Sequence, residues 1–247
     1  MLSLTDAVRL SSGHSMPILG FGVYQNYTTK ESVLEAFRAG YRQVDSAQAY
    51  KNEAHVGEAF RESGLERKDV FINYIDLFLI HNPHSGTEKR LETYKALLEA
   101  KEAGKIKSVG VSNYGIHHLE EIEQAGLERP SVNQIELHPF CQQRPIVEYC
   151  KARGLVIQAY CPIIRGQLDH PLFTELAAKY QRDPAQVLLR WSLQKGFVPL
   201  PKSANPSRIH SNTSLFDFEL SPEDMEKLDS LDKGKEGCIT WNPVDAP

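Results

Sequence analysis

The stretch Asp69-Val-Phe-Ile-Asn-Tyr-Ile-Asp-Leu-Phe-Leu-Ile-His-Asn-Pro83 decides how the rest of the chain is read. From Val70 to Ile80 it is almost entirely apolar, and it ends in His81 and the turn-forming pair Asn82-Pro83. That is the pattern of a strand buried on both faces that delivers a polar group at its end. The run is too long for one strand. The twelve residues from Val70 to His81 would span about 40 Å at roughly 3.3 Å each, where a usual strand has about five or six.

Upstream of this run, Asn52 is placed to cap a helix bearing Ala54, Val56, Ala59 and Phe60 and ending at Gly64. Before it, Tyr41 to Ala47 reads as a strand, preceded by a helix from Thr28 and Thr29 that carries Val33, Leu34 and Phe37 and stops at Gly40. The chain opens with a hairpin over 7–19 around Ser11-Ser-Gly-His-Ser15, followed by the extended piece Gly20 to Tyr24. Downstream, helices over Thr87 to Ala103, Ile116 to Gln124, Pro145 to Arg153, Leu172 to Tyr180 and from Pro184 through Trp191 are expected. They are separated by strands at Ile106 to Val111, Val132 to Leu137, Leu155 to Tyr160 and Phe197 to Leu200, and a last helix starts at Pro206.

Single strands therefore alternate with single helices, and no linker or break in composition divides the chain. The economical architecture is one α/β domain over 1–247, a parallel barrel with its helices outside, of the (β/α)₈ type, with a C-terminal loop over 233–247. A doubly wound open sheet is the alternative, but its G-x-G-x-x-G fingerprint is absent after the first strand. The rhythm fails in one place. Between Gly64 and Thr87 only one apolar run is present where two strands and a helix are due, and a parallel crossover needs a dozen or more residues. Asp69 to Ile72 is a stub fused to the strand Tyr74 to His81, or the barrel closes with seven strands, or it stays open on this side.

With 247 residues, 41% of them hydrophobic, the chain can build a substantial core. Its 28 Lys and Arg against 32 Asp and Glu give a formal charge of -4 with no basic block. That argues against nucleic acid and an anionic membrane and for a small-molecule partner. Cys141, Cys150, Cys161 and Cys238 form no C-x-x-C pair and suggest reduced thiols. The N-terminus has no secretory pattern and no stretch is long enough to span a bilayer, so a soluble cytoplasmic monomer is expected.

In a parallel barrel the reactive groups stand at the C-terminal ends of the strands. Asp45, Tyr50 and His81 fall there. Tyr50 can hand a proton to an oxyanion if a nearby cation lowers its pKa from near 10, and His81 can orient a carbonyl oxygen. Taken singly, each has a plainer explanation: a loop cap, a half-buried aromatic, a satisfied strand-end residue. Tyr24 and Trp241, with Phe140, are candidate walls of an apolar pocket, although aromatics near chain ends more often serve packing. His117-His118 lacks companions at metal-ligand spacing, so no metal is expected.

The ordered motifs change that weighting. Gly40-Tyr-Arg-Gln-Val-Asp45-Ser-Ala-Gln-Ala-Tyr50-Lys-Asn-Glu53-Ala-His-Val-Gly57 resembles the first signature of the aldo-keto reductases, and Leu77-Phe-Leu-Ile-His81-Asn-Pro83 resembles their catalytic-histidine strand. Gly110-Val-Ser112-Asn113, Asn133-Gln134-Ile-Glu-Leu-His138-Pro139, Ala159-Tyr160-Cys-Pro162 and Leu200-Pro-Lys202-Ser203 with Arg208, Ser211 and Asn212 resemble the remaining motifs in family order. The resemblance implies a (β/α)₈ barrel that reduces aldehydes or ketones with NADPH, Tyr50 donating the proton, His81 orienting the oxygen and Asp45 tuning the donor. It also implies that Ser112, Asn113 and Gln134 hold the nicotinamide carboxamide and Tyr160 stacks on the ring. Lys202, Ser203 and Arg208 would grip the 2'-phosphate, with Asn212 near the adenine. Ser211 departs from the acidic residue common there.

One further departure falls in the opening stretch. In the family, a strand beginning like Asp69-Val-Phe-Ile runs on to a lysine that lowers the tyrosine's pKa, but here Ile72 is followed at once by Asn73-Tyr-Ile-Asp-Leu. The resemblance thus implies that the end of the third strand, its lysine and the third helix are missing, roughly 30 residues or one βα unit. Lys51 and Lys68 are poor substitutes by position. Two readings follow: a carbonyl reductase slowed by the lost cation, or a catalytically silent variant that binds NADPH or a partner.

Overall fold

In the computed structural model of the protein, described over residues 2–247, the stretch 69–83 forms two strands. Phe71–Ile72 pairs with Gln43–Asp45, and Leu77–Ile80 pairs with Ser108–Ser112. Of the three arrangements open to the sequence, the stub comes nearest, but it is not fused to a strand from Tyr74: residues 74–76 are turn and the second strand starts at Leu77. Between the strands the chain makes a single tight turn: Tyr74 N–H donates to Leu77 O at 2.6 Å, and the Ile75 and Asp76 N–H groups both donate to Ile72 O. Tyr74 turns at φ 102°, a backbone conformation that costs a bulky residue roughly 1–3 kcal/mol.

What holds that turn is the buried carboxylate of Asp76. Its Oδ2 accepts from Ile72 N–H at 2.8 Å and from Arg67 Nη2 at 2.6 Å. Lys107 Nζ lies 2.7 Å from Oδ1, an ion contact without hydrogen-bond geometry. Two cations thus offset the desolvation of one acid, which a buried charge requires.

The strands run in chain order as β1 (Ala7–Arg9), β2 (Ser15–Pro17), β3 (Phe21–Gly22), β4 (Gln43–Asp45), β5 (Phe71–Ile72), β6 (Leu77–Ile80), β7 (Ser108–Ser112), β8 (Val132–Glu136), β9 (Val156–Tyr160) and β10 (Val198–Pro199). β1 and β2 form the expected antiparallel hairpin. The others are all parallel, in a three-stranded sheet β3-β4-β5 and a five-stranded sheet β10-β9-β8-β7-β6. Two seams join these sheets into one ring. A parallel bridge links Asn73 to Leu77, and Gly20 and Gly22 donate their N–H groups to Pro199 O and Pro201 O at 3.1 and 3.0 Å. The second seam is a close approach that glycine suits, since a Cβ on Gly22 would stand 3.1 Å from Leu200 O. The result is an eight-stranded α/β barrel of the TIM type.

The helices are α1 (Thr29–Arg38), α2 (Glu53–Ser63), α3 (Thr87–Glu102), α4 (Ile116–Gln124), α5 (Arg144–Ala152), α6 (Pro171–Tyr180), α7 (Pro184–Gln194), α8 (Pro206–Ser211) and α9 (Pro222–Asp229). All but the last match expected segments to within a few residues. α9 starts at Ser221-Pro-Glu-Asp, a proline-marked helix start in which the Ser221 hydroxyl accepts from Asp224 N–H, and is fixed to α7 by Trp191 Nε1 donating to Asp229 Oδ1 at 2.8 Å. Asn52 stands at the expected N-cap of α2, but its amide donates to Val23 O and Thr29 Oγ1 instead of capping. No helix follows β5.

The hairpin closes one end of the ring. Leu10 and Met16 pack against Phe71, Leu77, Val132 and Val198 near the strand starts, and Ser11 and Ser12 bond to Ser131 and Ser108. Access to the interior is thereby left to the C-terminal ends of the strands. Among the described residues no helix is long and apolar enough to cross a membrane.

Candidate active site

At those strand ends lies a cavity of about 1250 Å³. β4 brings Asp45 to it, the residue after β6 is His81, β7 ends in Ser112 and Asn113, β8 supplies Gln134, and β9 ends in Tyr160. Tyr24, Tyr50, Lys202, Ser203, Arg208 and Trp241 complete the set of sequence-derived candidates that line it. Asn212 does not; it is buried at the C-terminal end of α8. Phe140 also lies elsewhere, packed on His170 and Phe173 in the core.

Tyr50 ends a short turn over Gln48–Tyr50, its ring 5.1 Å from Tyr24 and 5.9 Å from the perpendicular ring of His81. Asp45 is buried, and its Oδ1 accepts from Asn73 Nδ2 at 2.5 Å and Gln134 Nε2 at 3.0 Å. Burial pushes the Asp45 carboxyl up to about 6, against the two amide hydrogen bonds that favour the ionised form. The Tyr50 hydroxyl is pushed well above its ordinary value, first by burial and then by the neighbouring Asp45 charge. Burial lowers His81, which favours a neutral imidazole able to share a hydrogen bond. Neither nearby lysine corrects this balance: Lys51 is exposed in a left-handed turn, and Lys68 is paired with Glu66 at 2.7 Å.

Elsewhere in the cavity the groups are donors and acceptors with few charges. Ser112 Oγ donates to Gln134 O at 2.9 Å, Asn113 Nδ2 to His81 O at 3.1 Å, and Tyr160 OH to Asn113 Oδ1 at 2.7 Å. Asn113 holds this place at φ 61°, which asparagine tolerates better than most residues. Lys202 and Ser203 follow β10, and Arg208 lies on α8, whose start Asn205 caps by accepting from Ser207 and Arg208 N–H. An ammonium, a hydroxyl and a guanidinium fork lining the same cavity suit a phosphate ester. With amide groups at the reactive end, the donor set fits a phosphorylated dinucleotide.

Several residues here, Gln134 apart, escaped the sequence. Gln43, Asn73, Gln134 and Gln158 form a buried amide cluster inside the barrel, with Gln134 Nε2 donating to Gln158 Oε1 at 2.9 Å. Gln43 with Asp45, Gln134 with Glu136, and Gln158 with Tyr160 are spaced by two on strands that should be apolar throughout. That alternation was the available signal. Glu136 anchors the C-terminal loop: its carboxylate accepts from Ile239 N–H at 2.6 Å, from Thr240 N–H at 3.1 Å and from the Thr240 hydroxyl. Thr240 and Trp241 thereby reach the cavity. Burial raises the Glu136 pKa, but the bonds from His138, Ile239 and Thr240 outweigh it and leave the group below its ordinary value. All four cysteines are free, with Cys141 and Cys238 Sγ atoms 3.0 Å apart beside this anchor. His118 has a structural place, accepting from Gly115 N–H and bonding Ala246 O.

The sequence matches the aldo/keto reductase family over residues 19–74 and 72–233, two pieces that meet at the turn between β5 and β6. Glyoxal reductase of Bacillus subtilis is 41% identical over 263 residues, covering 94% of each chain. An uncharacterized oxidoreductase of Schizosaccharomyces pombe is 39% identical over 278 residues, covering 99% of each chain. That alignment is longer than this chain of 247 residues, so the relative carries residues with no counterpart here. Among solved structures, an aldo-keto reductase from a Medee basin deep-sea metagenome library superposes with a TM-score of 0.90 at 31% identity, over 96% of this chain and 97% of that one. With these matches, the chain belongs to the aldo-keto reductase family and is an oxidoreductase of the carbonyl-reducing kind.

Proposed function

We propose that this protein reduces aldehydes or ketones to alcohols with NADPH, at a rate limited by the missing cation beside Tyr50. The observation that carries this reading is the convergence of Asp45, Tyr50 and His81 with Lys202, Ser203 and Arg208 on one cavity. Bound NADPH would supply the hydride that reaches the carbonyl carbon. His81 orients the carbonyl oxygen through its neutral ring, and Tyr50 gives that oxygen its proton. Ser112, Asn113 and Gln134 hold the carboxamide, Tyr160 supports the ring, and Lys202, Ser203 and Arg208 take the 2'-phosphate. Asn212 acts on the adenine side only through the end of α8, and Tyr24 and Trp241 flank the substrate.

The split family match and the longer alignment support the loss of a segment between Ile72 and Asn73, where the resemblance would put the lysine and third helix. A missing electrostatic partner commonly costs a factor of about 10² to 10³. The test is NADPH consumption with glyoxal or a simple aromatic aldehyde, for this protein, its Tyr50→Phe variant and an intact relative. Turnover about 10² to 10³ below the relative, and a further loss of about 10² or more in Tyr50→Phe, are expected. Turnover equal to the relative's would sink the rate limitation.

A second reading is favoured by the tightly held proton of Tyr50. On this reading the chain binds NADPH, or a partner, without turning over. Quenching of intrinsic fluorescence by NADPH with no substrate consumed decides for it.

A further inference from the structure

Asn73 directly follows β5 at the C-terminal end of the barrel and is 1% exposed. Its amide joins three strands. Nδ2 donates to Asp45 Oδ1 on β4 at 2.5 Å and to Gln158 Oε1 on β9 at 3.2 Å, while Oδ1 accepts from Gln43 Nε2 at 3.3 Å. The backbone at this residue is fixed as well, because Asn73 N–H donates to Val44 O and the residue bridges Leu77 across the seam. Asp45 is bonded by Asn73, just after β5, and by Gln134 on β8; Gln158 on β9 accepts from both of those amides, and the charge of Asp45 acts on Tyr50, whose ring meets that of His81. Among the described residues no lysine or arginine forms an ion pair with Asp45, whose hydrogen-bond donors are two neutral amides.

We propose that Asn73 is a positioning residue for the proton-donating step, its neutral amide holding the Asp45 carboxylate in place beside Tyr50 where no charged side chain is paired with it. The proposal rests on the carbonyl-reductase reading for its kinetics, but not for the hold of Asn73 on Asp45. When the substrate oxygen takes the Tyr50 proton, the phenolate left behind faces the Asp45 carboxylate, which is in no ion pair among the described residues; the guanidinium of Arg165 in the same cavity lies over the Tyr24 ring at 5.8 Å. That repulsion is smallest when Asp45 is itself protonated. A lysine at 73 would carry its ammonium along the same inward face toward both groups, whereas alanine would remove a donor from Asp45.

The experiment compares the full-length protein with Asn73→Lys, Asn73→Ala and Asn73→Ser, each checked for folding by thermal melting. The Asp45 carboxyl is titrated by infrared difference against the corresponding Asp45→Asn proteins. Kinetics are run with NADPH and p-nitrobenzaldehyde from acid to alkaline pH. Asp45 is expected to titrate lower than wild type in Asn73→Lys and higher in Asn73→Ala. In Asn73→Lys, kcat at neutral pH should rise about tenfold or more with KM changed less than about twofold, the mark of an interaction made in the transition state. Asn73→Ser places its hydroxyl one bond short of the amide nitrogen, so Asp45 is again expected to titrate higher than wild type, and it covers the case in which the lysine variant does not fold. If folded variants titrate at Asp45 as wild type does, the proposal is overturned. Should the titrations move as expected while no protein consumes NADPH, the carbonyl-reductase reading fails and the hold of Asn73 on Asp45 stands.

Discussion

Asp45 is the residue whose protonation sets the most consequences. Its carboxyl, raised by burial from 3.8 to about 6, binds a proton more tightly folded than unfolded. Its contribution to stability is therefore fully present below the unfolded value and is lost as pH rises through about 6. Asp45→Asn should remove that loss, so the variant's gain in melting temperature over wild type grows between acid and neutral pH. The same titration bears on rate: reduction by the wild type is expected to speed up as pH falls through about 6, since a neutral Asp45 no longer opposes a forming charge on Tyr50. A flat or rising profile toward alkaline pH would contradict this. At this scale Asp45, Tyr50 and His81 were legible because their motifs are contiguous in sequence. Asn73 was not, because its partners Gln43, Asp45 and Gln158 come from other strands and only the ring brings them together.

Among the elements, the turn between β5 and β6 depends on a single side chain. Asp76→Ala removes the acceptor for Ile72 N–H and leaves Arg67 and Lys107 without their shared partner. Because both cations keep contact with solvent, a loss on the order of 2–4 kcal/mol is expected, below that for a fully enclosed pair. Denaturant unfolding would measure it, and a change under about 0.5 kcal/mol would place the turn's stability elsewhere. The C-terminal loop has a comparable dependence. A Cβ on Gly237 would stand 1.7 Å from Phe140 O, so Gly237→Ala should displace the loop that carries Thr240 and Trp241 into the cavity. The expected result is a raised KM for aldehydes with NADPH binding largely kept. Element boundaries were readable where a helix had a proline or glycine signal. The long apolar run was legible as more than one strand, but its turn was not placed, because periodicity cannot show a four-residue turn whose own residues, Tyr74 and Ile75, are apolar yet exposed.

For the whole molecule, the alternation of strands and helices was enough to specify a parallel barrel. Closure was beyond it, since it rests on backbone hydrogen bonds at Gly20 and Gly22 and on the bridge from Asn73 to Leu77. The ring persists although no helix connects β5 to β6, while α2 packs on α1 and α3 on α4. Strand register is therefore what defines the ring here, and helices are its covering. The turn at 73–76 also leaves the chain on neighbouring strands, about 4.8 Å apart, which are the terms on which a foreign segment could be received. A compact insert with adjacent termini, placed between the exposed Tyr74 and Ile75, should leave the rest of the barrel in register. In that sense the shortest connection between successive parallel strands of the ring is a socket, and this chain is a minimal host for grafting.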